Sequence, residues 1–457
     1  MNPRSGPGRI RFLSLAALWI LGGCLLAFSQ PVAALTVEQA VARATANQPL
    51  IRQAEAAVEA ARARIGEAQS VFYPNLQASA SYSRVEPLQA FTFDLGALLH
   101  DPLIPPLSLS LYPEDNVDFH VGASQLIFQF GKQGAQVKLA ESGMNAARIG
   151  LEQIKQSLAF QAVQGFYTVL FAQEQVKILS DQLENLQLHL KIVQEKMDTG
   201  SATKLEVLST QFRIAGLQSE RLDAQSRYEQ QAIGLKQLLG LDPEAELELQ
   251  GSLTPGQNVP DPQTFTASAL EQRPEVRQAM EAENVAQLAR RLAVSGYLPT
   301  LSAHASLGYR NGLLPNVGAL TFNWAAGVQM NLPIFDGLLT ARQVQEADQK
   351  LIAAKANTAA VRRTVVTQVL QALEELTTRR QQVETSLEQL QQAQAMLEIA
   401  RTQYEIGVTT NLEYLDAQAS LQTARLTNLS AAYREILSEY ALRQAAGESI
   451  WKLQAAP

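Results

Sequence analysis

The chain has 457 residues, of which 46% are hydrophobic, 18% charged and 6% aromatic, with one cysteine, four histidines and a formal net charge of −7. A single cysteine excludes an internal disulfide and a CxxC metal site, and the composition excludes a disordered or collagen-like chain. The acidic balance argues against a nucleic-acid binder, and the length suits two or three domains or one elongated fold.

The N-terminus reads as an export signal. Arg4, Arg9 and Arg11 precede an uncharged apolar run over 12–28, and Val32, Ala33 and Ala34 offer the small residues of a cleavage site. This is the three-part pattern of a secretory signal peptide. The apolar run is at the short limit for a membrane helix, so cleavage is preferred to an anchor. Loss of 1–34 removes three arginines and no acid, which moves the formal charge from −7 to −10. Leu21-Gly22-Gly23-Cys24 resembles a lipoprotein box, so Cys24 is a candidate lipidation site. Against this, the mature chain would then begin with the unusually apolar Cys24-Leu25-Leu26-Ala27-Phe28. No later run reaches 18 consecutive apolar residues, so no helical span is predicted in the mature chain.

A first structural unit is predicted over 35–240. Leu76, Ala78, Ala80 and Tyr82 alternate with Gln77, Ser79, Ser81 and Ser83. Val117, Phe119, Val121 and Ala123 alternate with Asp118, His120, Gly122 and Ser124. A period of two predicts a pair of strands. Between them, 86–115 carries Pro87, Pro102, Pro105, Pro106 and Pro113 and is expected to form an external loop. The 129 residues of 114–242 then contain no proline. Proline costs roughly 3 kcal/mol inside a helix, so this gap predicts very long helices. Residues 241–266, with Pro243, Pro255, Pro260 and Pro262, read as a linker.

A second unit is predicted over 267–450, followed by a short tail over 451–457. Leu301, Ala303, Ala305, Leu307 and Tyr309 alternate with small or polar residues, as do Phe322, Trp324, Ala326, Val328, Met330 and Leu332. Residues 334–456 again lack proline, and Gly337, Gly407 and Gly447 divide them into stretches of 69 and 39 residues. As helices these would be about 100 Å and about 60 Å long. Val383, Leu387, Leu390, Ala393, Leu397, Ala400 and Tyr404 trace a narrow coiled-coil seam.

The two units are copies. GSATKLEVLSTQ at 200–211 and GVTTNLEYLDAQ at 407–418 share the pattern G-x-x-T-x-L-E-x-L-x-x-Q at an offset of 207. Gly240 and Gly447 keep that offset, as do Ile127-Phe128 and Ile334-Phe335. Pro49 with Pro274 and Pro74 with Pro299 are offset by 225, so the first copy carries 18 extra residues before its long helices. The period is too large for a solenoid repeat.

The four strands have the length of tilted transmembrane strands, with one apolar and one small or polar face. A half-buried soluble hairpin looks the same locally, but nothing else in the chain resembles a soluble sheet that could cover four apolar faces. Four strands cannot close a barrel, since the smallest bacterial ones have about eight. Open edges are not tolerated in lipid. Strands that span a membrane would therefore require oligomerisation, and three chains would supply twelve.

In this combination the chain resembles the TolC-type outer-membrane efflux factor family. The resemblance rests on the leader, on Leu35-Thr36-Val37-Glu38-Gln39-Ala40, on the duplicated strand pairs and long helices, and most specifically on 404–417, YEIGVTTNLEYLDA. It covers essentially all of 35–450. It implies a mainly α fold with transmembrane β: duplicated long α-hairpins in a trimeric α-barrel, and four strands per chain in a shared 12-stranded β-barrel. It also implies a homotrimer in outer-membrane lipid that reaches across the periplasm as a passive duct. A periplasmic adaptor would dock at the helix tips and an inner-membrane transporter would supply the energy. No cofactor and no nucleic acid are implied.

The tips are expected at Gly200 and Gly407, because a chain reversing between helices needs a residue of positive φ. The family resemblance extends the adaptor-reading pattern to Gly200 with Leu205 and to Gly407 with Leu412. Glu413 and Asp416 lie three apart on one helix face. Acids near a helix start are also favoured by its dipole, by about 0.3 to 1 kcal/mol each. The resemblance makes them an inward-facing acidic ring at the periplasmic entrance, and it pairs Glu206 with Tyr404 as gating contacts. Thr409 departs from the family pattern, where an arginine locks the gate at that position. His100, His120, His189 and His304 show no ligand spacing, and His120 and His304 fall on the polar strand faces. Three other readings are weighed. A periplasmic adaptor would have one hairpin inside β-rich domains. An enzyme would show a nucleophile elbow, phosphate loop or metal motif. A coiled-coil fibre would not need the strands.

Overall fold

The computed structural model describes residues 34–452, apart from 88–89, 94, 96–102, 104, 106, 111, 255–261 and 315. The expected leader, Cys24, His100 and part of the expected external loop lie outside the described residues. Helix α1 is Val37–Asn47 and α2 is Pro49–Gln69. Strands β1 (Asn75–Arg84), β2 (Ala90–Phe93), β3 (Leu107–Ser110) and β4 (Asp115–Phe128) follow. Helices α3 (Lys132–Asp198) and α4 (Lys204–Leu239) complete the first copy. The second copy runs α5 (Pro262–Gln272), α6 (Pro274–Val294), β5 (Thr300–Arg310), β6 (Thr321–Asn331), α7 (Leu339–Glu405) and α8 (Asn411–Ala445).

The duplication is visible element by element. α1 and α5 each have 11 residues, α2 and α6 each 21, and α3 and α7 each 67. The proline-free stretches become these 67-residue helices, about 100 Å long at 1.5 Å per residue. α5 begins at Pro262, so the second copy's helical part starts within the expected linker.

Each long helix is accompanied by two shorter ones. α2 and α4 both pack along α3, while α6 and α8 both pack along α7. The shorter helices meet end to end. Gln48, the N-cap of α2, donates its side-chain amide to the carbonyls of Gln237, at 3.3 Å, and Leu238 at the end of α4. In the second copy Gly447, with φ of 82°, lies directly against the Arg273 backbone at the start of α6. Pro49 and Pro274 suit these starts because the first helical turn has no use for their missing N–H.

Small cores sit at these joints. Ala40, Val41 and Ala44 of α1 pack with Val163, Phe166 and Leu170 of α3 and with Leu235 and Leu239 of α4. Leu35 joins the same cluster and pairs with Leu249 of the segment between the copies. Phe265 and Ala269 of α5 pack likewise with Val365, Val369 and Leu376 of α7 and Leu442 of α8. A further core lies toward the tips, where Leu179, Leu186 and Val193 of α3 meet Val207, Ile214 and Leu217 of α4, and other stretches of the helix seams are thin and partly polar. Ser386 is buried and bonds Asn428, while Leu387, expected in the seam, is exposed. Arg380 of α7 pairs with the fully buried Glu435 of α8 at 3.2 Å. Only nine of the 67 residues of α7 are buried, so this chain alone leaves most of the helix uncovered.

The long strands form one antiparallel sheet in the order β1-β4-β5-β6. Its register aligns apolar residues in continuous rows. Ala80, Phe119, Tyr309 and Phe322 form one row, and Ala78, Val121, Leu307 and Trp324 the next. That face is exposed, with Trp324 at 72% and Val328 at 67%. Rows such as Ser79, His120, Gly308 and Asn323 occupy the other face. β1 and β6 are the sheet edges. Two features differ from expectation. β4 runs to Phe128, with a register shift near Leu126, and β2 and β3 form a separate hairpin within the expected external loop.

The sheet joins the long helices through two successive left-handed residues in each copy. These are Phe130 and Gly131 at φ of 44° and 86°, and Gly337 and Leu338 at 70° and 69°. Within the sheet, Gly308 admits no side chain, since a Cβ there would fall 2.7 Å from His120 Cα and clash with the Phe119 carbonyl. Gly308→Ala is expected to abolish the heat-modifiable mobility of folded protein on unheated gels. Gly122→Ala, where the nearest atom is 3.9 Å away, should retain it.

Candidate gate at the helical tips

The repeated pattern G-x-x-T-x-L-E encodes a helix stop followed by a helix start. Gly200 and Gly407 take φ of 77° and 81° just beyond α3 and α7. The next amides close the helix ends, Ser201 N–H to the Lys196 carbonyl at 2.7 Å and Val408 N–H to the Gln403 carbonyl at 2.8 Å. This glycine-based closure satisfies carbonyls that the helix end leaves open. Three residues later Thr203 and Thr410 cap α4 and α8, each accepting at Oγ1 from the amide of Glu206 or Glu413 at 3.3 Å. Leu205 and Leu412 project outward, 74% and 64% exposed, beside exposed Ile406 and Val408.

The two tips differ in what the glutamate does. Glu413 completes a capping box, accepting from the Thr410 amide at 2.8 Å, the Thr410 hydroxyl at 3.1 Å and the Thr409 hydroxyl. The Thr409 hydroxyl, followed by the Thr410 groups, holds this carboxyl below its ordinary range. Thr409 thus contributes a neutral hydroxyl to the cap of α8. Asp416 meets Arg213 of α4 at 3.5 Å, an exposed pair. Such pairs contribute about 0 to 1 kcal/mol. The Glu413 and Asp416 carboxylates share a helix and an exposed surface but not a partner. Glu206 is half-buried near Tyr404, whose phenol is pushed up by burial first and by the Glu206 charge second.

Behind the tips lies a cluster not foreseen in the sequence. His189 of α3 is 4% exposed and bonds Asn411 Oδ1 through Nε2 at 2.8 Å. Its ring stacks on Tyr414 with centroids 3.9 Å apart and lies 5.1 Å from the Tyr404 ring. Asn411 donates to Thr210 Oγ1 at 3.1 Å and to the Glu206 carbonyl at 3.3 Å. Tyr414 accepts from Gln418, which accepts from Gln182 of α3 at 2.7 Å. Lys196 donates to the Tyr404 carbonyl at 2.6 Å and rests its ammonium 4.1 Å from the centre of that ring. The cluster ties the α3–α4 hairpin to the α7–α8 hairpin. Its one sequence signal is spacing, since His189 stands three after Leu186 and four before Val193, both buried in the seam.

A family model described as outer membrane efflux protein matches residues 40–241 and 266–448. The chain belongs to the outer membrane efflux protein family. Outer membrane protein TolC of Escherichia coli is 22% identical over 442 residues, 94% of this chain and 85% of that protein. The probable efflux pump outer membrane protein TtgC of Pseudomonas putida is 25% identical over 299 residues, 64% of this chain. The chain spans about 60% of the length of this Pseudomonas relative. Among solved structures, the Campylobacter jejuni CmeC outer membrane channel superposes with a TM-score of 0.72 at 22% identity, over 90% of this chain and 86% of that one. The open state of the Neisseria gonorrhoeae MtrE outer membrane channel gives 0.73 at 18% identity, over 91% and 89%. The chain shares the fold of these efflux-family channels, with helical and β-barrel sections. Among the described residues no helix is long and apolar enough to cross a membrane.

Thr410→Ala is expected to cost about 1 kcal/mol of helix stability and to accelerate amide exchange in the first turn of α8. The Glu413 bonds add a pH dependence. Because the folded carboxyl lies below the ordinary 4.5, its contribution is present above that pH and is lost as pH falls through the lowered value. Protection of the amides at Asn411 to Tyr414, corrected for intrinsic exchange rates, should therefore fall in acid, and less so in Thr410→Ala.

Proposed function

We propose that three copies of this chain form an outer-membrane channel that carries cargo from the periplasm to the exterior. The sheet carries this reading. It presents a continuous exposed apolar face and ends in two open edges, β1 and β6. Lipid leaves no water to satisfy those edges, so β6 of one chain would pair with β1 of the next. Three sheets of four strands make a closed barrel of twelve, with its apolar face to outer-membrane lipid and its polar face to the lumen. The sparsely buried α7 also asks for neighbours, which the same trimer supplies as an α-barrel across the periplasm.

The channel is a passive duct and performs no chemistry. A periplasmic adaptor docks on the tips through Gly200, Leu205, Gly407 and Leu412, and an inner-membrane transporter drives the flow. An adaptor reading for this chain itself is less consistent with two hairpins and four amphipathic strands. The relatives span several cargo classes and include an alkaline protease secretion protein of Pseudomonas aeruginosa and a cation efflux system protein of Escherichia coli. The entrance is narrowed by Glu413 and Asp416, with Tyr404 and Glu206 as gating contacts. Both acids are exposed, so three chains would bring six carboxylates around one axis.

Outer-membrane fractions should yield heat-modifiable trimers, and a soluble periplasmic monomer would sink the proposal. In planar bilayers the Glu413→Ala/Asp416→Ala protein should lose block by multivalent cations at least tenfold. Unchanged block would remove these acids from the constriction.

A further inference from the structure

We propose that His189 is a proton-responsive pin that holds the two hairpins of each chain together at the gate, so that acid on the periplasmic side opens the channel. This rests on the channel reading above but concerns a residue outside the gating pair and the acidic ring. His120 and His304 are exposed on the sheet, whereas His189 alone among the described histidines is buried between helices.

The geometry fixes the direction of its hydrogen bond. Asn411 uses its amide N–H groups on Thr210 and the Glu206 carbonyl, so its Oδ1 faces His189 as an acceptor. His189 therefore donates from Nε2, and burial favours the neutral form of the ring. It makes one bond to α8, stacks on the Tyr414 ring of α8 and has the Tyr404 ring of α7 tilted against it at 5.1 Å. Protonation would place a cation in a seam that already holds Lys196 against the Tyr404 ring.

The charged surroundings work the same way. Lys196 stands on the histidine's own helix, and Glu206 and Arg213 on α4. Glu398, Arg401, Tyr404 and Glu405 of α7 and Tyr414 and Arg425 of α8 line the same cavity as His189. Glu405 is engaged by Arg401 at 3.2 Å. Burial is the largest effect and lowers the affinity of His189 for a proton; the Asn411 bond opposes it, and the Lys196 charge adds a smaller lowering. If the hairpins part, the ring regains water and its ordinary value near 6.5. The sign follows from linkage. Above 6.5 both states are neutral and the pin is intact. As pH falls below 6.5 the parted state takes up a proton that the closed state refuses, so closure weakens until the lowered value is reached. One proton per chain changes the equilibrium by at most about tenfold per pH unit, and three chains act together.

The test titrates the periplasmic side from pH 7.5 to 5.0 in planar bilayers, with wild type, His189→Gln and Glu413→Gln/Asp416→Asn. Wild type should gain open probability at least tenfold below pH 6.5. His189→Gln, which keeps a side-chain N–H donor but cannot titrate, should lose the rise, and the double acid variant should keep it. A flat wild-type profile, or a rise that survives in His189→Gln, overturns the pin. Amide exchange in detergent reads the same event without conduction. Protection over 186–193 and 411–418, corrected for intrinsic rates, should fall in acid for wild type and stay level for His189→Gln. If no variant conducts, the channel reading has failed, and equal exchange in the two proteins would separately overturn the pin.

Discussion

Backbone hydrogen bonding governs this molecule more than side-chain packing does. A sheet of four strands has two edges, and each edge strand carries a row of donors and acceptors that its own chain cannot pair. In water such edges would be solvated, but beside an apolar face like that of Trp324, Val328 and Met330 they have no solvent to turn to. In the proposed trimer neighbouring chains meet that need, and their pairing fixes the arrangement of the helices. α3 and α7 continue from the strands, so closing the sheet also sets the long helices side by side. Thin, partly polar seams suffice because each helix needs only to be held within a wall.

The duplication explains how a single motif serves both tips while permitting different work at each. The backbone program is identical, with glycine reversing the chain and threonine starting the next helix. Glu413 serves the start of its own helix, while Glu206 lies toward Tyr404 of the other hairpin. Both tips reach across, the second through Asn411 and Asp416, so the asymmetry lies in the two glutamates alone. The aromatic and amide cluster around His189 is where that asymmetry is anchored.

Much of this was legible in the sequence. Proline-free runs marked the long helices because proline is so costly within them, and alternation marked the strands because side chains leave a strand on opposite faces. Gly200 and Gly407 were readable because positive φ selects so strongly for glycine. What was not legible depends on partners distant in sequence. His189 touches Asn411 and Tyr414, more than 200 positions away, and no local spacing announces that meeting. Ser386 displaces Leu387 from the seam because Asn428 offers it a bond, which a purely apolar pattern cannot anticipate. The β2–β3 hairpin was hidden by the prolines around it. The end-to-end joint at Gln48 also depends on carbonyls of a helix that ends almost 190 residues later.

The left-handed junctions below the sheet carry a consequence for the history of the chain. Both copies need two successive residues of positive φ, yet each retains glycine in only one of them, and in opposite slots. Phe130 stands where the second copy has Gly337, and Leu338 stands where the first has Gly131. The two copies therefore share the shape of the bend but not its chemistry, one slot in each copy bearing the strain of a side chain. The two halves are interchangeable as backbones but no longer as sequences, and transplanting either tetrapeptide alone would carry over the neighbour's compromise along with its bend.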